Sequence, residues 1–230
     1  MDIQGFQKMT LLDFPGKVAA TVFLGGCNLR CPFCHNASLV THIDPSAACG
    51  EDTVLAYLTK RRGILDGICV TGGEPLLRTD IAPFLEKVKA LGLLVKLDTN
   101  GTFPDRLRAL VEAGLVDYVA VDVKNAKETY AATVGIEGFD ITPIERTLQF
   151  LREGTVSYEL RTTVVREFHD ADSIRGLAEW IEGAPRYYLQ TFTDSGDLIA
   201  SEPLHPVPRA EMEEMAKIAR RYVPEVYIRG

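Results

Sequence analysis

Short apolar runs alternate along this chain with longer stretches in which apolar positions return every three or four residues. The runs at 18–24, 68–71, 93–99, 118–124, 156–165 and 187–192 read as strands, and the periodic stretches at 51–62, 80–91, 105–113, 126–134, 143–152 and 172–182 as helices. Gly63, Gly92, Asn100-Gly101 and Gly114 supply the stops. Residues 1–16 read as an extension closing in a turn at Asp13-Phe14-Pro15-Gly16, residues 35–50 as irregular, and 193–208 as a loop with three prolines and an Asp194-Ser195-Gly196-Asp197 turn. A helix at 209–222 and a strand at 225–228 close the chain. Strands alternating with helices of this length imply parallel βα units. The expectation is an α/β fold, a partial (β/α)6 barrel in one domain over 1–230, with its core at about 17–192 and the elements of 209–230 appended.

Side chains alternate faces along a strand, so Val119, Val121 and Val123 share one face while Tyr118, Ala120, Asp122 and Lys124 share the other. With the valines toward the helices, Asp122 and Lys124 turn inward. By the same period Leu94, Lys96 and Asp98 share a face, as do Glu159, Arg161 and Thr163. A conventional barrel fills its interior with Val, Ile and Leu. Charge there requires water, mutual pairing or a polar ligand. Solvated edge positions or an ion-pair network would explain one such strand; three strands, charged toward their C-terminal ends, favour a polar ligand site.

Composition narrows the setting. The 230 residues suffice for one sizeable core, and 46% hydrophobic with 25% charged residues is ordinary for a globular protein. A net charge of -7 leaves no basic stripe for nucleic acid, and the longest basic run, Lys60-Arg61-Arg62, ends a predicted helix where cations are favoured. No apolar run is long enough to cross a bilayer and no basic-then-apolar leader opens the chain, so a cytoplasmic protein without a membrane partner is expected. A reducing compartment would keep its thiols available for metal.

Three of the five cysteines, Cys27, Cys31 and Cys34, fall within eight residues, behind Gly25-Gly26 and around Pro32. Four thiols would close a structural zinc or a cluster, whereas three leave one metal position open to a second molecule. No second Cys or Cys/His pair completes a zinc site, and Cys49 and Cys69 stand alone, so an iron-sulfur cluster is favoured over zinc.

The Cys-x-x-x-Cys-x-x-Cys run with Phe33, followed by His35-Asn36 and by Thr71-Gly72-Gly73-Glu74-Pro75, resembles the radical S-adenosylmethionine superfamily. Together with Leu12-Asp13-Phe14-Pro15-Gly16-Lys17, it resembles the glycyl-radical-enzyme activases within that superfamily, over about residues 10–192. The resemblance implies a barrel of the radical SAM type and a 4Fe-4S cluster on Cys27, Cys31 and Cys34. The free iron would chelate S-adenosylmethionine, reductive cleavage of which gives a 5'-deoxyadenosyl radical. It implies a glycyl-radical enzyme as protein substrate, anaerobic ribonucleoside-triphosphate reductase foremost and pyruvate formate-lyase or another as the alternative, with a flavodoxin or ferredoxin as electron donor. A small-molecule enzyme of the deazaguanine-synthase kind is the other alternative.

Residue by residue, the resemblance assigns Gly72, Gly73 and Glu74 to the methionine amino group and Lys124 to its carboxylate. Arg161 takes the same carboxylate or an ion pair with Glu159 or a neighbouring aspartate. Asp98, Thr99 and Asp122 would form a Na+ or K+ site, an Asp–Lys pair being the alternative. Phe33 is expected against the adenine, since on an exposed loop it has little else to pack on. His35 is a candidate cofactor contact but not a metal ligand. Where the family has a histidine at the end of strand six, this chain has Leu189-Gln190-Thr191-Phe192, so Gln190 is the candidate polar contact and Phe192 an aromatic one. Asp13 and the loop 193–208 are candidates to border the mouth; a turn role for Asp13 is the plainer one.

Overall fold

The computed structural model describes residues 1–194, 196–200 and 202–230. Its strands are β1 (Asp2–Ile3), β2 (Gly5–Thr10), β3 (Ala19–Leu24), β4 (Cys49–Gly50), β5 (Gly67–Gly72), β6 (Leu94–Thr99), β7 (Tyr118–Asp122), β8 (Ser157–Val164), β9 (Arg186–Thr191) and β10 (Glu225–Arg229). The helices are α1 (Ala37–Thr41), α2 (Glu51–Lys60), α3 (Ile81–Ala90), α4 (Pro104–Glu112), α5 (Tyr130–Val134), α6 (Thr142–Arg152), α7 (Ala171–Trp180) and α8 (Arg209–Ala219). Six parallel strands run in the order β3-β5-β6-β7-β8-β9, the expected partial (β/α)6 barrel. β10 continues it in parallel beyond β9 and β2 pairs antiparallel with β3, so the barrel stays open between these two edges.

The two-residue period holds. Val119, Val121 and Val123 are buried and share the core with Phe84, Leu85 and Val88 of α3, Leu107 of α4 and Ile144 and Leu148 of α6. Asp98, Asp122, Arg161 and Thr163 face the interior, where they line a cavity of about 500 Å³. Among the described residues no helix is long and apolar enough to cross a membrane.

Four expectations need correction. Residues 1–16 contain a sheet strand, β2; its outward positions are polar or exposed, so alternation does not announce it. Because β2 runs antiparallel, Thr10 lies opposite Ala19, and the turn that follows sits at the N-terminal ends of the parallel strands. There Phe14 packs on Tyr118, ring centroids 6.0 Å apart, and the Thr21 hydroxyl donates to Asp13 Oδ2 at 2.6 Å. Asp13 therefore lines the deep end of the cavity and does not border the mouth. The 35–50 stretch holds α1, a 3-10 turn over Pro45–Ala47 and β4, which pairs with β1. β7 ends at Asp122, which leaves Lys124 on the connection beyond it. Ser195 of the expected 194–197 turn lies outside the described residues.

The end of β5 fixes the cavity's rim. Gly73 N–H donates to Leu24 O at 2.8 Å and Glu74 N–H to Gly26 O at 2.7 Å. A Cβ on Gly73 would lie 2.0 Å from Gly26 O, and Gly72, at φ +122°, would bring one to 2.3 Å from Leu24 O. These glycines are required by close backbone packing against the cysteine loop. The Glu74 carboxylate turns into the protein, accepting from Leu76 N at 3.0 Å, Thr99 Oγ1 at 2.8 Å and Asn100 N at 2.7 Å. Burial pushes its pKa up to about 7 against the pull of those three donors.

Two outcomes follow. Gly73→Ala should lower folding stability by about 1–3 kcal/mol or more, because only backbone movement relieves the clash, whereas Gly16→Ala, strained in φ but with nothing within 4 Å, should cost about 1 kcal/mol; thermal midpoints of the two variants compare them. For Glu74 the folded-state pKa exceeds the unfolded one, so its stabilising contribution is present at acid pH and lost as pH rises through about 7. Urea unfolding across that range should show the wild type losing stability that Glu74→Gln does not lose. A parallel pH dependence in both proteins would contradict this.

Candidate active site

The loop between β3 and α1 carries the three cysteines and is anchored from three sides. Gly26, at φ +94°, donates to Leu39 O at 2.8 Å and accepts from Glu74 N. Arg30 N–H donates to Val134 O at 3.0 Å, where Gly135, at φ +68°, lets α5 close on the loop. Ala200 N–H donates to Pro32 O at 2.9 Å, and Asn36 Nδ2 to Gly72 O at 2.8 Å. Leu29, Cys31 and Phe33 turn inward and are buried, so the loop is a packed element rather than an exposed one.

Cys27, Cys31 and Cys34 all line the cavity. Burial pushes all three thiols up in pKa, Cys31 to about 12, so as free thiols they stay protonated near neutral pH. Metal binding would release those protons. Among the described residues no group of three His, Cys, Asp or Glu side chains, the trio included, is drawn together around a single ion. Three sulfur donors at one end of a polar cavity, with no fourth protein ligand, fit a cluster with an open position.

Opposite the sulfurs, the interior charges form one chain. Lys96 pairs with Asp98, Asp98 Oδ2 accepts from Arg161 Nη1 at 3.0 Å, Arg161 Nε donates to Asp122 Oδ1 at 2.8 Å, and Lys124 Nζ donates to Asp122 Oδ2 at 3.1 Å. Burial alone would raise Asp122, but Arg161 and Lys124 outweigh it and hold its carboxyl well below the usual carboxylate range. Lys124 is raised in turn, burial opposing and Asp122 prevailing. Of these groups Lys124 and Arg161 line the cavity and can meet a ligand carboxylate, while Lys96 lies behind Asp98.

The other predicted residues divide. Phe33 lines the cavity but has partners of its own, Phe168 at 5.5 Å and His169 at 6.3 Å between ring centroids. His35 lines the wall and stacks on Phe192 at 5.5 Å, so Phe192 meets a protein ring; partial burial and then Lys124 lower the His35 pKa. Gln190, Gly72 and Gly73 also line the cavity, whereas the Glu74 side chain does not. Thr99 lines it too, its hydroxyl donating to Glu74, and Asp98 and Asp122 pair with lysine and arginine. Arg161 pairs with both aspartates and not with Glu159, which instead accepts from Tyr118 at 3.1 Å.

Sequence reasoning missed three residues. Asn100, read as a turn signal, places Nδ2 3.8 Å from Cys27 Sγ. His169 takes Val165 N–H on Nδ1 at 3.0 Å, so Nε2 carries the proton and donates to Lys124 O at 2.8 Å, pinning the backbone at Lys124. Arg229, from the last strand, reaches the cavity wall with its guanidinium 4.0 Å from the Tyr188 ring centre. A composition-neutral Asn-Gly, a lone histidine and a terminal arginine carry no spacing signal that marks them.

The family model described as the radical SAM superfamily matches residues 21–180. A Methanocaldococcus jannaschii protein whose name proposes a glycyl-radical enzyme activating enzyme is 31% identical, over 99% of this chain and 95% of its own. The 7-carboxy-7-deazaguanine synthase of Methanopyrus kandleri is 28% identical, over 79% of this chain and 76% of its own. Among solved structures, Streptococcus suis SuiB superposes with a TM-score of 0.70 at 13% identity, covering 91% of this chain and 48% of that one, a likeness of fold. With its sulfur loop and polar cavity inside a family match that spans most of its length, the chain belongs to the radical SAM superfamily of enzymes.

Proposed function

We propose that this enzyme is an activase that installs a glycyl radical on a partner enzyme. It would hold a 4Fe-4S cluster on Cys27, Cys31 and Cys34 and S-adenosylmethionine in the adjoining cavity. The observation that carries the reading is the meeting of three thiols from one loop with a paired chain of charged side chains in a single cavity. The full-length similarity to a protein named for glycyl-radical enzyme activation supports the activase over other members of the superfamily. When bound, the cluster supplies the electron that splits S-adenosylmethionine into methionine and a 5'-deoxyadenosyl radical.

The chain's own residues bind and orient. Lys124, held by Asp122 and by His169 at its backbone, would take the methionine carboxylate, with Arg161 keeping Asp122 in place. The Gly72-Gly73 rim would face the amino group, and Phe33, His35 and Gln190 the adenosine. A glycine on a partner's loop would enter between the open edges, beside 193–208. Anaerobic ribonucleoside-triphosphate reductase is the partner we favour, with a flavodoxin or ferredoxin as electron source. A second reading, a small-molecule enzyme of the deazaguanine-synthase kind, is favoured by the similarity to the Methanopyrus kandleri enzyme.

Anaerobic incubation of the reconstituted protein with reductant, S-adenosylmethionine and the candidate reductase should give a glycyl-radical signal by electron paramagnetic resonance. Release of 5'-deoxyadenosine without that signal for any glycyl-radical partner would favour the second reading. Alanine at Cys27, Cys31 or Cys34 should remove both cluster absorbance and 5'-deoxyadenosine release, whereas Cys49→Ser should keep them. Lys124→Met should weaken S-adenosylmethionine binding about tenfold or more, as loss of a charge-assisted hydrogen bond does, measured by equilibrium titration.

A further inference from the structure

Asn100 stands on the connection after β6 and is nearly buried. Its amide is fully engaged. Oδ1 accepts from Thr102 N–H at 3.0 Å and from Thr102 Oγ1 at 2.6 Å. Nδ2 donates to Asn28 Oδ1 at 2.9 Å and points its other hydrogen at Cys27 Sγ, 3.8 Å away. The amide orientation is therefore fixed by its neighbours: a flipped Asn100 would set its NH2 against the two Thr102 donors. Asn28 is held in turn, since its Nδ2 donates to Thr102 Oγ1 at 2.9 Å, and the Asn100 backbone is tied to the buried Glu74 carboxylate.

The three sulfurs are treated unequally by their surroundings. Cys27 Sγ receives two donors, Leu29 N–H at 3.4 Å and Asn100 Nδ2. Cys34 has the backbone of Asn36 beside it, while Cys31 has no hydrogen-bond donor among the described residues and is the most deeply buried of the three. Donors to a ligating sulfur stabilise the more negative, reduced state of a cluster, and so raise its reduction potential. We propose that Asn100, oriented by Asn28 and Thr102, is a tuning residue whose amide hydrogen bond to Cys27 raises the potential of the cluster held by this loop. Neither residue supplies a ligand. Their effect falls on how readily the site accepts an electron.

This rests on the reading that Cys27, Cys31 and Cys34 hold a cluster, and the test separates the two. Wild type, Asn100→Leu, Asn100→Asp and Asn28→Ala are reconstituted anaerobically, iron and sulfide are quantified, and midpoint potentials are measured by redox titration followed by electron paramagnetic resonance. Asn100→Asp keeps the acceptor for Thr102, and with it the turn, but loses the donor to sulfur. Asn100→Leu and Asn100→Asp should both titrate at more negative potential than the wild type, and Asn28→Ala, which frees the amide without removing it, should shift the same way by less. Resonance Raman of the loaded proteins should show the iron–thiolate stretch rising in Asn100→Leu and its sensitivity to deuterium exchange falling, with the share due to the backbone donors of Leu29 and Asn36 retained. Unchanged potentials in loaded variants would overturn the proposal, as would a loss of thermal stability with no change in potential, the mark of a merely structural role. If Asn100→Leu fails to fold or load, the sign of the Asn28→Ala shift decides. A wild type that binds no iron would instead sink the cluster reading itself.

Discussion

Putting charge inside a barrel is the constraint on which this molecule turns. Lys96, Asp98, Asp122, Lys124 and Arg161 cluster in an interior that such folds usually fill with aliphatic side chains. An isolated buried ion costs several kcal/mol, and mutual pairing offsets this only when the geometry is good. Arg161 provides that geometry, reaching both aspartates at 3.0 and 2.8 Å, and each aspartate reaches one lysine beyond. The arrangement is self-consistent, and it sets Lys124 and Arg161 in the cavity wall with their charges held in place by the two aspartates. Removal of either aspartate would leave a cation buried without compensation, so the binding surface and the fold's electrostatic balance rest on the same side chains.

A second constraint, backbone against backbone, joins this charged wall to the sulfurs. Gly26 O lies so close to Gly73 that no side chain fits, and Glu74 N–H bonds to that same oxygen. The Glu74 carboxylate then reaches past the rim to Thr99 and Asn100, the residues that follow Asp98. Three loops at the C-terminal ends of β3, β5 and β6 are thereby locked into one unit. The glycines and the glutamate of a single short motif thus act as mortar between loops, and their service to a ligand is a consequence of where that leaves the cavity wall.

Much of this was legible in the sequence, for an identifiable reason. Strand periodicity placed Asp98, Asp122 and Arg161 on one face because alternation is a geometric property of extended chain, independent of context. The thiol spacing was equally local. What escaped were contacts whose partners lie far along the chain: Asn100 and Cys27 are separated by 73 positions, and nothing at either end names the other. Phe33 was expected to have little else to pack on at an exposed loop, yet Phe168, 135 positions on, supplies a ring. β2 was missed because an edge strand with exposed positions lacks the alternation that betrays inner ones. Asp13 was assigned to the wrong end because the direction of β2 decides it, and direction is a pairing property.

The anchoring of the cysteine loop also bears on how the mouth can behave. Two of its ties come from the barrel itself: the β5 rim through Gly26 and α5 through Arg30. The third comes from 193–208, where Ala200 N–H bonds to Pro32 O and Asp197 Oδ2 accepts from Ser38 N–H at 3.2 Å. Pro32 lies between the second and third thiols and its φ is fixed by its ring, so it transmits a pull rather than absorbing one. A large partner that displaced 193–208 would have to break the Ala200 bond or move the backbone between Cys31 and Cys34. The first two ties resist that movement, because the carbonyl oxygens of Gly26 and Arg30 lie against Gly73 and Gly135 with no room for a side chain. Of the three ties, the bond to Pro32 is the one that no close-packed glycine backs.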